Sequence, residues 1–458
     1  MGELRVMTLN ISSFKAYDVR GRIPDELNAE IAYRIANAMA EFLEAKKVVL
    51  GRDIRSSSEE IANAVASGLM DAGVDVIDIG LCGTEGVYFA TGSLAACGGI
   101  MVTASHNPSD YNGMKLVRDK AKPIGAETGL KDIRLLAESE NRYLAEKAGN
   151  RTFEDISLPY IKRILNFVNT DLLKPMKIVV NPGNGGAGLV LDQLNNYLPF
   201  DFVKVHFEPD ASFPNGVPNP MLEENRASTA NAVREHNADL GIAWDGDFDR
   251  CFFFDEKGTF VEGYYIVGLL AENFLKKNKS EKIVYDPRLT WNTIDMVTKA
   301  GGMAIQSQSG HSFIKQSMRQ NDAIYGGEMS AHHYFRDFYY CDSGMIPWLL
   351  IAELISVTGQ KLSSLLDSCK VNYPVSGEIN RTVNDTAITI AKIHSEYKHD
   401  ALTIDVMDGV SMEFTDWRFN VRASNTEPLL RLNVESRKDQ ALMQSKTIEL
   451  LEIIDCDS

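Results

Sequence analysis

The sequence predicts an α/β protein made of three consecutive related α/β domains with mainly parallel sheets and a smaller C-terminal α+β domain. Helical periodicity alternates with short apolar runs, which is typical of parallel sheets covered by helices. The alternation recurs twice further along the chain. From residue 373 onward, two strand-like runs bracket one polar turn instead. The length of 458 residues also suits several domains, at roughly 150 residues each.

The first unit opens with a helix, because apolar residues recur at helical spacing over residues 31–42. The apolar run at residues 48–50 is typical of a short buried strand. Ser57 followed by Glu60 predicts a capping box at the start of a second helix. Gly73 can end that helix before the next strand.

Two further units repeat this order of elements. In the second, a strand runs into the glycine-rich turn at residues 181–188, and a helix and another strand follow. In the third, a strand and two helices lead to a strand that meets Gly326 and Gly327. The predicted segments are 177–180, 189–198 and 238–244, then 282–285, 291–300, a helix after Ser312, and 323–325.

The C-terminal part has a different pattern. Strand-like residues 417–421 and 429–434 flank the turn at 422–428, and a helix follows, which is typical of a small α+β domain. Linkers are expected near residues 147–151, 255–258 and 370–374. The predicted domains are 1–150, 151–255, 256–371 and 372–458.

Composition excludes several classes of protein. The chain carries 47 Lys and Arg against 63 Asp and Glu, a formal net charge of −16. The summed field therefore repels nucleic-acid backbones and anionic lipid surfaces. We expect neither a nucleic acid nor a membrane as a partner.

The expected location is the cytoplasm. The six cysteines show no C-x-x-C spacing, which predicts reduced thiols rather than a zinc cluster or a disulfide framework. Residues 1–14 lack a secretory signal pattern, and Gly2 begins no myristoylation motif. The most apolar stretch, residues 345–355, is far shorter than the roughly 20 residues that span a bilayer.

Each unit ends a strand in a polar loop that carries chemically useful side chains. These loops cover residues 103–108, 245–250 and 327–333. Ligands of open α/β sheets bind beyond the carboxyl ends of the strands. We therefore expect the three loops to face one shared cleft.

Three aspartates at alternate positions predict a metal site. Asp245, Asp247 and Asp249 would repel one another by roughly 4 kcal/mol per close pair, at an effective dielectric constant of about 20, unless a cation lies between them. Gly246 permits the turn that brings them together, and Mg²⁺ prefers such oxygen ligands. A solvated acidic loop is one alternative. A calcium EF-hand is another, but Arg250 stands where that loop needs glycine.

Ser105 is the candidate nucleophile. It follows the strand-like residues 99–102, with His106 beside it and Pro108 restricting the backbone, so its hydroxyl can be presented to a substrate. An ordinary turn is the alternative. Because no G-x-S-x-G elbow surrounds this serine, serine-hydrolase chemistry is disfavoured.

The C-terminal turn suits a phosphate group. Arg422, Ser424, Asn425 and Thr426 combine a guanidinium fork, hydroxyls and turn amides, all of which hold phosphate oxygens well. A polar hairpin turn explains the same residues equally well. Arg431 fits either a solvated strand or this site.

The loop after Gly327 suits a sugar. Glu328 and Ser330 can bind vicinal hydroxyls, and a histidine such as His332 or His333 can move a proton near neutral pH. Structural histidines are the alternative here, and the same holds for His311.

In chain order, five motifs are similar to those of the α-D-phosphohexomutases. They are residues 14–21 (FKAYDVRG), 103–108 (TASHNP) with 111–115 (YNGMK), 245–250 (DGDFDR), 328–333 (EMSAHH) and 422–428 (RASNTEP). The match spans nearly the whole chain. Residues 326–348 most resemble the bacterial phosphomannomutase branch of this family.

The resemblance implies a reaction. Ser105 would be a phosphoserine that gives its phosphoryl group to a hexose monophosphate, after which the hexose 1,6-bisphosphate turns around and returns its other phosphate. Mannose 6-phosphate and mannose 1-phosphate would interconvert, with glucose phosphates as further substrates, to supply GDP-mannose. The implied cofactors are one Mg²⁺, held by Ser105 and the three aspartates, and the bisphosphate as activator.

The resemblance also assigns roles to individual residues. It gives acid or base roles to His106, Lys115, Arg20 and His332, charge stabilisation to Arg250, sugar hydroxyls to Glu328 and Ser330, the distal phosphate to Arg422, Ser424, Asn425 and Thr426, and substrate contacts to Tyr17, Arg288 and His311.

One position departs from the family pattern. Gln308 and Ser309 precede Gly310, where related enzymes commonly have Lys-Thr, and we expect this missing charge to weaken binding modestly. Phosphoglucomutase, phosphoglucosamine mutase and a non-catalytic phosphosugar-binding protein are the alternative functions. The sequence leaves the oligomeric state open.

Overall fold

A computed structural model describes residues 10–424 and 429–456. These residues divide into two compact units. Unit 1 contains the described residues up to Cys251 together with Cys341–Leu349. Unit 2 contains Phe252–Tyr340 and the described residues from Leu350 onward. The domain boundaries inferred from the sequence stay a prediction.

Unit 1 begins with a mixed sheet and four helices. The elements are β1 (Val19–Arg22), α1 (Ala29–Leu43), β2 (Lys47–Arg52), α2 (Ser58–Asp71), β3 (Asp75–Leu81), α3 (Thr84–Ser93), β4 (Gly98–Val102), β5 (Tyr111–Arg118), β6 (Lys122–Pro123), α4 (Leu130–Glu138) and β7 (Arg151–Phe153). The strand order is β1-β5-β4-β2-β3-β7, and β6 pairs with β5. The pairs β2-β3, β2-β4 and β3-β7 are parallel, whereas β5 is antiparallel to its neighbours.

The first helices form for the reasons that the sequence suggests. Apolar side chains three and four residues apart, such as Ile35 and Met39, are fully buried in α1. The side chain of Asn28 caps α1 by accepting a hydrogen bond from the backbone N–H of Ile31 at 3.1 Å. The predicted capping box at Ser57 is wrong, because its hydroxyl makes no cap hydrogen bond and instead accepts one from Asn112 Nδ2 at 2.8 Å.

The second α/β part of unit 1 places two parallel strand ends side by side. It contains α5 (Ser157–Leu165), β8 (Met176–Asn181), α6 (Ala187–Leu194), β9 (Phe200–Lys204), α7 (Ala227–His236) and β10 (Leu240–Trp244). β8 lies between β9 and β10 and is parallel to both. All five residues of β10 are buried, and the strand leads directly into Asp245.

Unit 2 carries a third α/β part. Its elements are β11 (Cys251–Phe254), whose first residue belongs to unit 1, β12 (Phe260–Val261), α8 (Gly263–Lys277), β13 (Lys282–Tyr285), α9 (Trp291–Lys299), β14 (Met303–Gln306), α10 (His311–Asn321), β15 (Tyr325–Gly327) and β16 (His333–Phe335). β13 is parallel to β14 and β15, and β15 is antiparallel to β16. Next come β17 (Cys341–Asp342) of unit 1, α11 (Ile346–Thr358), whose residues up to Leu349 belong to unit 1, and α12 (Leu362–Asn372).

The last part is an antiparallel sheet with two helices. It contains β18 (Ile379–Thr382), α13 (Thr386–Tyr397), β19 (Thr403–Asp405), β20 (Val410–Glu413), β21 (Trp417–Ala423), β22 (Leu429–Ser436) and α14 (Gln440–Asp455). The strand order is β18-β22-β21-β20-β19, with every pair antiparallel. Three α/β parts followed by an α+β part confirm the predicted fold class.

Within the described residues, no single helix is long and apolar enough to cross a membrane, although α11 and α12, bent by 100° at their junction, pass that test as a pair on length and composition. All six cysteines lie in the described part of the chain, and none of them forms a disulfide.

Candidate active site

The Ser105 loop follows β4 and has an unusual backbone. Ser105 adopts φ 51°, in the left-handed region that residues with a Cβ rarely occupy. Its N–H donates to Thr103 Oγ1 at 2.9 Å. Its hydroxyl donates to Asp245 Oδ2 at 3.1 Å and lies 3.0 Å from His106 Nδ1. The candidate nucleophile is therefore directed at the aspartate loop.

Arg55 holds this loop from behind. Its guanidinium donates to the backbone carbonyls of Ser105, Asn107, Pro108 and Tyr111 at 2.6–3.0 Å. The Arg55 side chain is 1% exposed and pairs with the carboxylate of Asp53 at 3.4 Å. Four carbonyl contacts from one rigid fork fix the shape of the loop. Sequence reasoning missed this residue.

The three aspartates come together as predicted. One carboxylate oxygen from each of Asp245, Asp247 and Asp249 lies within 4.8 Å of the others. Their side chains are at most 2% exposed. The turn needs glycine at position 246, because a Cβ there would lie 2.4 Å from the carbonyl oxygen of Ser105.

Cationic side chains and a hydroxyl surround these carboxylates. Lys115 Nζ lies 2.6 Å from Asp247 Oδ2 and 2.5 Å from Asp249 Oδ2. Arg250 Nε donates to Asp245 Oδ2 at 2.8 Å. Thr84, at the start of α3, also donates to Asp247 Oδ2, at 2.5 Å. Sequence reasoning missed Thr84, since a lone threonine gives no signal of its target.

The donor set fits a hard divalent cation. Asp247 Oδ1 is buried and accepts no hydrogen bond from any described residue. Burial raises the pKa of Asp249, and the charge of Asp247 raises it further, to about 8. Burial alone would also raise the pKa of Asp247, but Lys115 shifts it below its usual range. Ionisation of all three carboxylates at this spacing therefore requires a further cation, and their oxygens suit Mg²⁺.

His106 and Arg20 lie beside the serine. Burial, followed by the charges of Arg250 and Arg20, lowers the pKa of His106 well below its usual range, so the ring is neutral at pH 7. Its Nδ1 accepts from Arg250 Nη2 at 2.5 Å. Arg20 donates to Asn107 Oδ1 at 2.6 Å. Tyr17 lies half-buried in the bend before β1.

In unit 2, the loop after β15 gathers the predicted sugar-binding residues. Glu328 Oε1 accepts from the N–H of Gly310 at 2.8 Å, and its Oε2 accepts from Tyr334 at 2.5 Å. Ser330 Oγ lies 3.3 Å from His332 Nδ1 and accepts from Arg288 Nη2 at 3.2 Å.

The remaining predicted residues of unit 2 lie on neighbouring loops. Arg288 follows β13 and makes two hydrogen bonds to the Asp286 carboxylate, at 3.0 and 2.9 Å. His311 is the first residue of α10. Gln308 lies half-buried in the loop before it. His333 is structural: it is fully buried and its Nδ1 lies 2.7 Å from the Tyr325 hydroxyl.

The C-terminal phosphate loop is described only in part. Arg422 is buried on β21. Arg431 Nη2 donates a hydrogen bond to Ser424 Oγ at 3.3 Å. Asn425 and Thr426 lie outside the described residues. Glu378, which sequence reasoning missed, lies between the two arginines, 3.3 Å from each.

Four family models match the chain in order. Their descriptions are phosphoglucomutase/phosphomannomutase α/β/α domains I, II and III and the C-terminal domain, over residues 12–143, 158–258, 262–373 and 378–449. The chain belongs to the phosphoglucomutase/phosphomannomutase family. This confirms the resemblance to the α-D-phosphohexomutases, and it identifies the chain as an isomerase of that family.

Relatives agree with the family models over nearly the full chain. A phosphomannomutase from Escherichia coli is 56% identical over 452 residues, which cover 97% of this chain and 99% of that protein. A protein from Xanthomonas campestris pv. campestris, described as phosphohexose mutases, is 54% identical over 446 residues and is covered in full. The crystal structure of a family protein from Burkholderia thailandensis superposes with a TM-score of 0.88 at 30% identity, covering 98% of both chains.

Proposed function

We propose that this chain interconverts mannose 6-phosphate and mannose 1-phosphate, and also accepts glucose phosphates, through a phosphorylated Ser105 and a hexose 1,6-bisphosphate. The observation that carries the proposal is the Ser105 hydroxyl, 3.1 Å from Asp245 Oδ2, in a loop that Arg55 holds in shape. Phosphoryl transfer depends mainly on positioning and charge stabilisation, which is what this arrangement supplies.

Each half of the proposed reaction moves one phosphoryl group. A hydroxyl of the hexose monophosphate attacks the phosphorus of phosphoserine 105 and gives its proton to a base. The P–Oγ bond breaks, and Ser105 Oγ takes a proton from an acid to become a hydroxyl. The bisphosphate then presents its other phosphate to the Ser105 hydroxyl, and the transfer runs in reverse. His106, Lys115, Arg20 and His332 are the proposed acids and bases. Among these, the neutral His106 ring lies 3.0 Å from Ser105 Oγ.

The charge of the phosphoryl group needs balance. Asp245, Asp247, Asp249 and Ser105 are the residues that would hold one Mg²⁺, which when bound supplies positive charge to the phosphoryl oxygens. Lys115 and Arg250 neutralise carboxylate charge in the same place, at 2.5–2.8 Å. Lys115 holds the pKa of Asp247 below its usual range despite burial, and both cations orient the carboxylates that they contact.

The non-reacting end of the substrate needs its own contacts. Arg422 and Ser424, with Asn425 and Thr426, would bind the distal phosphate. Ser330, Glu328 and Arg288 would bind sugar hydroxyls and position the ring. Tyr17 and His311 would add contacts at its edge.

The test is the intact mass of the protein before and after incubation with glucose 1,6-bisphosphate and Mg²⁺. We expect a gain of one phosphoryl group that Ser105→Ala abolishes and that Ser67→Ala, at an exposed site in α2, leaves unchanged. Turnover of mannose, glucose and glucosamine phosphates then separates the three mutase activities. A wild-type protein that gains no phosphoryl group would overturn the proposal and favour a non-catalytic phosphosugar-binding protein.

A further inference from the structure

Two arginines of unit 2 face each other across neighbouring strands. Arg422 on β21 and Arg431 on β22 are directly opposite in the strand register. Like charges in this position destabilise a sheet. Water screens them little, because the Arg422 side chain is 7% exposed and that of Arg431 is 24% exposed. The pair therefore requires an anion close by.

Glu378, the residue before β18, supplies that anion. Its Oε2 lies 3.3 Å from Arg422 Nη2 and 3.4 Å from Arg288 Nη1, and its Oε1 lies 3.3 Å from Arg431 Nη1. The Glu378 side chain is 6% exposed. Burial raises its pKa, but the charges of the three arginines lower it, and the net shift is downward. Glu378 is therefore ionised at neutral pH.

The carboxylate satisfies these arginines incompletely. Its contacts of 3.3–3.4 Å are longer than the roughly 2.8 Å of good charge-assisted hydrogen bonds. One carboxylate is shared by three guanidinium groups; Arg288 also pairs with Asp286 at 2.9 Å, and the Asp408 carboxylate lies 4.0 Å from Arg422. A phosphate dianion offers three oxygens and about two charges, so it matches Arg422 and Arg431 better than Glu378 does.

We propose that Glu378 competes with the substrate phosphate for these arginines: it holds their side chains in place before phosphate binds, and it limits how tightly phosphate is held. This inference rests on the proposed function. In that reaction, the arginines must release the distal phosphate of the bisphosphate, which then turns around and presents its opposite phosphate to them. Glu378 is a positioning residue: it pairs with the arginines again as the phosphate leaves, and this speeds the exchange of one phosphate of the bisphosphate for the other.

The first test measures inorganic phosphate binding by isothermal titration calorimetry. In Glu378→Gln the shape of the side chain is kept and its charge is lost, so we expect the Kd for phosphate to fall by about tenfold. The matched control is Glu281→Gln, which removes a carboxylate from Arg336 elsewhere in unit 2, where the contact is 3.0 Å, and should leave the Kd unchanged. An unchanged or higher Kd in Glu378→Gln would overturn the proposal.

The second test separates binding from release in turnover. For mannose 1-phosphate, Glu378→Gln should lower KM and kcat together, because phosphate is held more tightly and leaves more slowly. A purely structural role would instead raise KM, and that result would contradict the competition. If a thermal scan shows that Glu378→Gln is not folded, Glu378→Asp replaces it in both assays. Its shorter carboxylate reaches the arginines poorly, so phosphate should again bind more tightly.

Turnover by the wild type and phosphate binding by Glu378→Gln test the proposed function and the competition separately. Tighter phosphate binding in Glu378→Gln without any mutase turnover by the wild type would support the competition and overturn the proposed function. Mutase turnover with no change in the phosphate Kd would support the proposed function and overturn the competition.

Discussion

At the scale of single residues, the geometry of Ser105 depends on side chains that are distant in sequence. Its φ of 51° is unfavourable for a residue with a Cβ, so the surrounding contacts must maintain it. Thr103 Oγ1 accepts a hydrogen bond from its N–H. Arg55 donates to its carbonyl oxygen, to two more carbonyls of the same loop and to that of Tyr111 at the start of β5. The reactivity of the serine therefore depends on Arg55 as well as on its neighbours in the chain.

We expect Arg55→Lys to lower kcat by about 100-fold with little change in KM, since a lysine ammonium cannot span four carbonyls and the serine would shift out of line. Steady-state kinetics and the rate of Ser105 phosphorylation measure this. Arg151→Lys is the control, because Arg151 donates to Asp78 at 2.6 Å on the surface of the same unit. A large rise in KM with unchanged kcat would contradict a role in positioning Ser105.

Glu85 makes the stability of unit 1 depend on pH. Burial at the start of α3 raises its pKa from 4.5 to about 8. The folded protein thus holds a proton between about pH 4.5 and 8 that the unfolded chain has lost. The free energy of unfolding should fall by a few kcal/mol as pH rises through this window.

Urea unfolding between pH 5 and 8 tests this, because Glu85→Gln should remove that part of the pH dependence. Glu59→Gln, at an exposed position in α2, should keep the wild-type slope. Equal slopes in wild type and Glu85→Gln would mean that another group is responsible.

At the scale of elements, hydrophobic periodicity predicted the positions of helices and strands well, whereas the polar contacts of these elements could not be predicted from the sequence. The helical spacing over residues 31–42 became α1, and residues 282–285 became β13 with the same bounds. The capping box at Ser57 failed because Asn112, on β5, donates to that hydroxyl. Burial of an apolar face follows from local spacing, whereas a hydroxyl can bond to any group that the fold brings near.

The crossing of α1 and α2 depends on one glycine. A Cβ at Gly68 would lie 2.3 Å from the carbonyl oxygen of Tyr33, so the two backbones pass too closely for any side chain. We expect Gly68→Ala to lower the free energy of unfolding by roughly 1–3 kcal/mol, despite the better helix propensity of alanine. Urea unfolding measures this loss. Ser67→Ala, on the exposed side of α2, should change stability little, and a Gly68→Ala protein as stable as wild type would exclude the close contact.

At the scale of the whole molecule, an acidic chain buries three carboxylates next to one another, and this arrangement favours binding of a cation. Asp245, Asp247 and Asp249 are buried together in a protein of net charge −16. Lys115 and Arg250 offset only part of their charge, and burial together with the charge of Asp247 raises the pKa of Asp249 to about 8. Binding of a divalent cation should therefore couple strongly to folding.

We expect Mg²⁺ to raise the thermal unfolding midpoint, since a ligand at 100 times its Kd stabilises the folded state by about 2.7 kcal/mol. Chelation should reverse the shift, and Asp247→Asn should abolish it. Asp201→Asn, at an exposed site on β9, should behave like wild type. A midpoint that does not respond to Mg²⁺ in wild type would contradict the metal site.

The sequence by itself determined the fold class, the order of the parts, the family, and the residue types of the candidate site. These follow from periodicity and from short motifs that are contiguous in the chain. Only the tertiary structure brought Arg55 and Thr84 to the Ser105 and aspartate loops, and Glu378 to the arginines. Each makes its contact across at least 44 residues of chain, so its role depends on the packing of separate elements and leaves no local pattern.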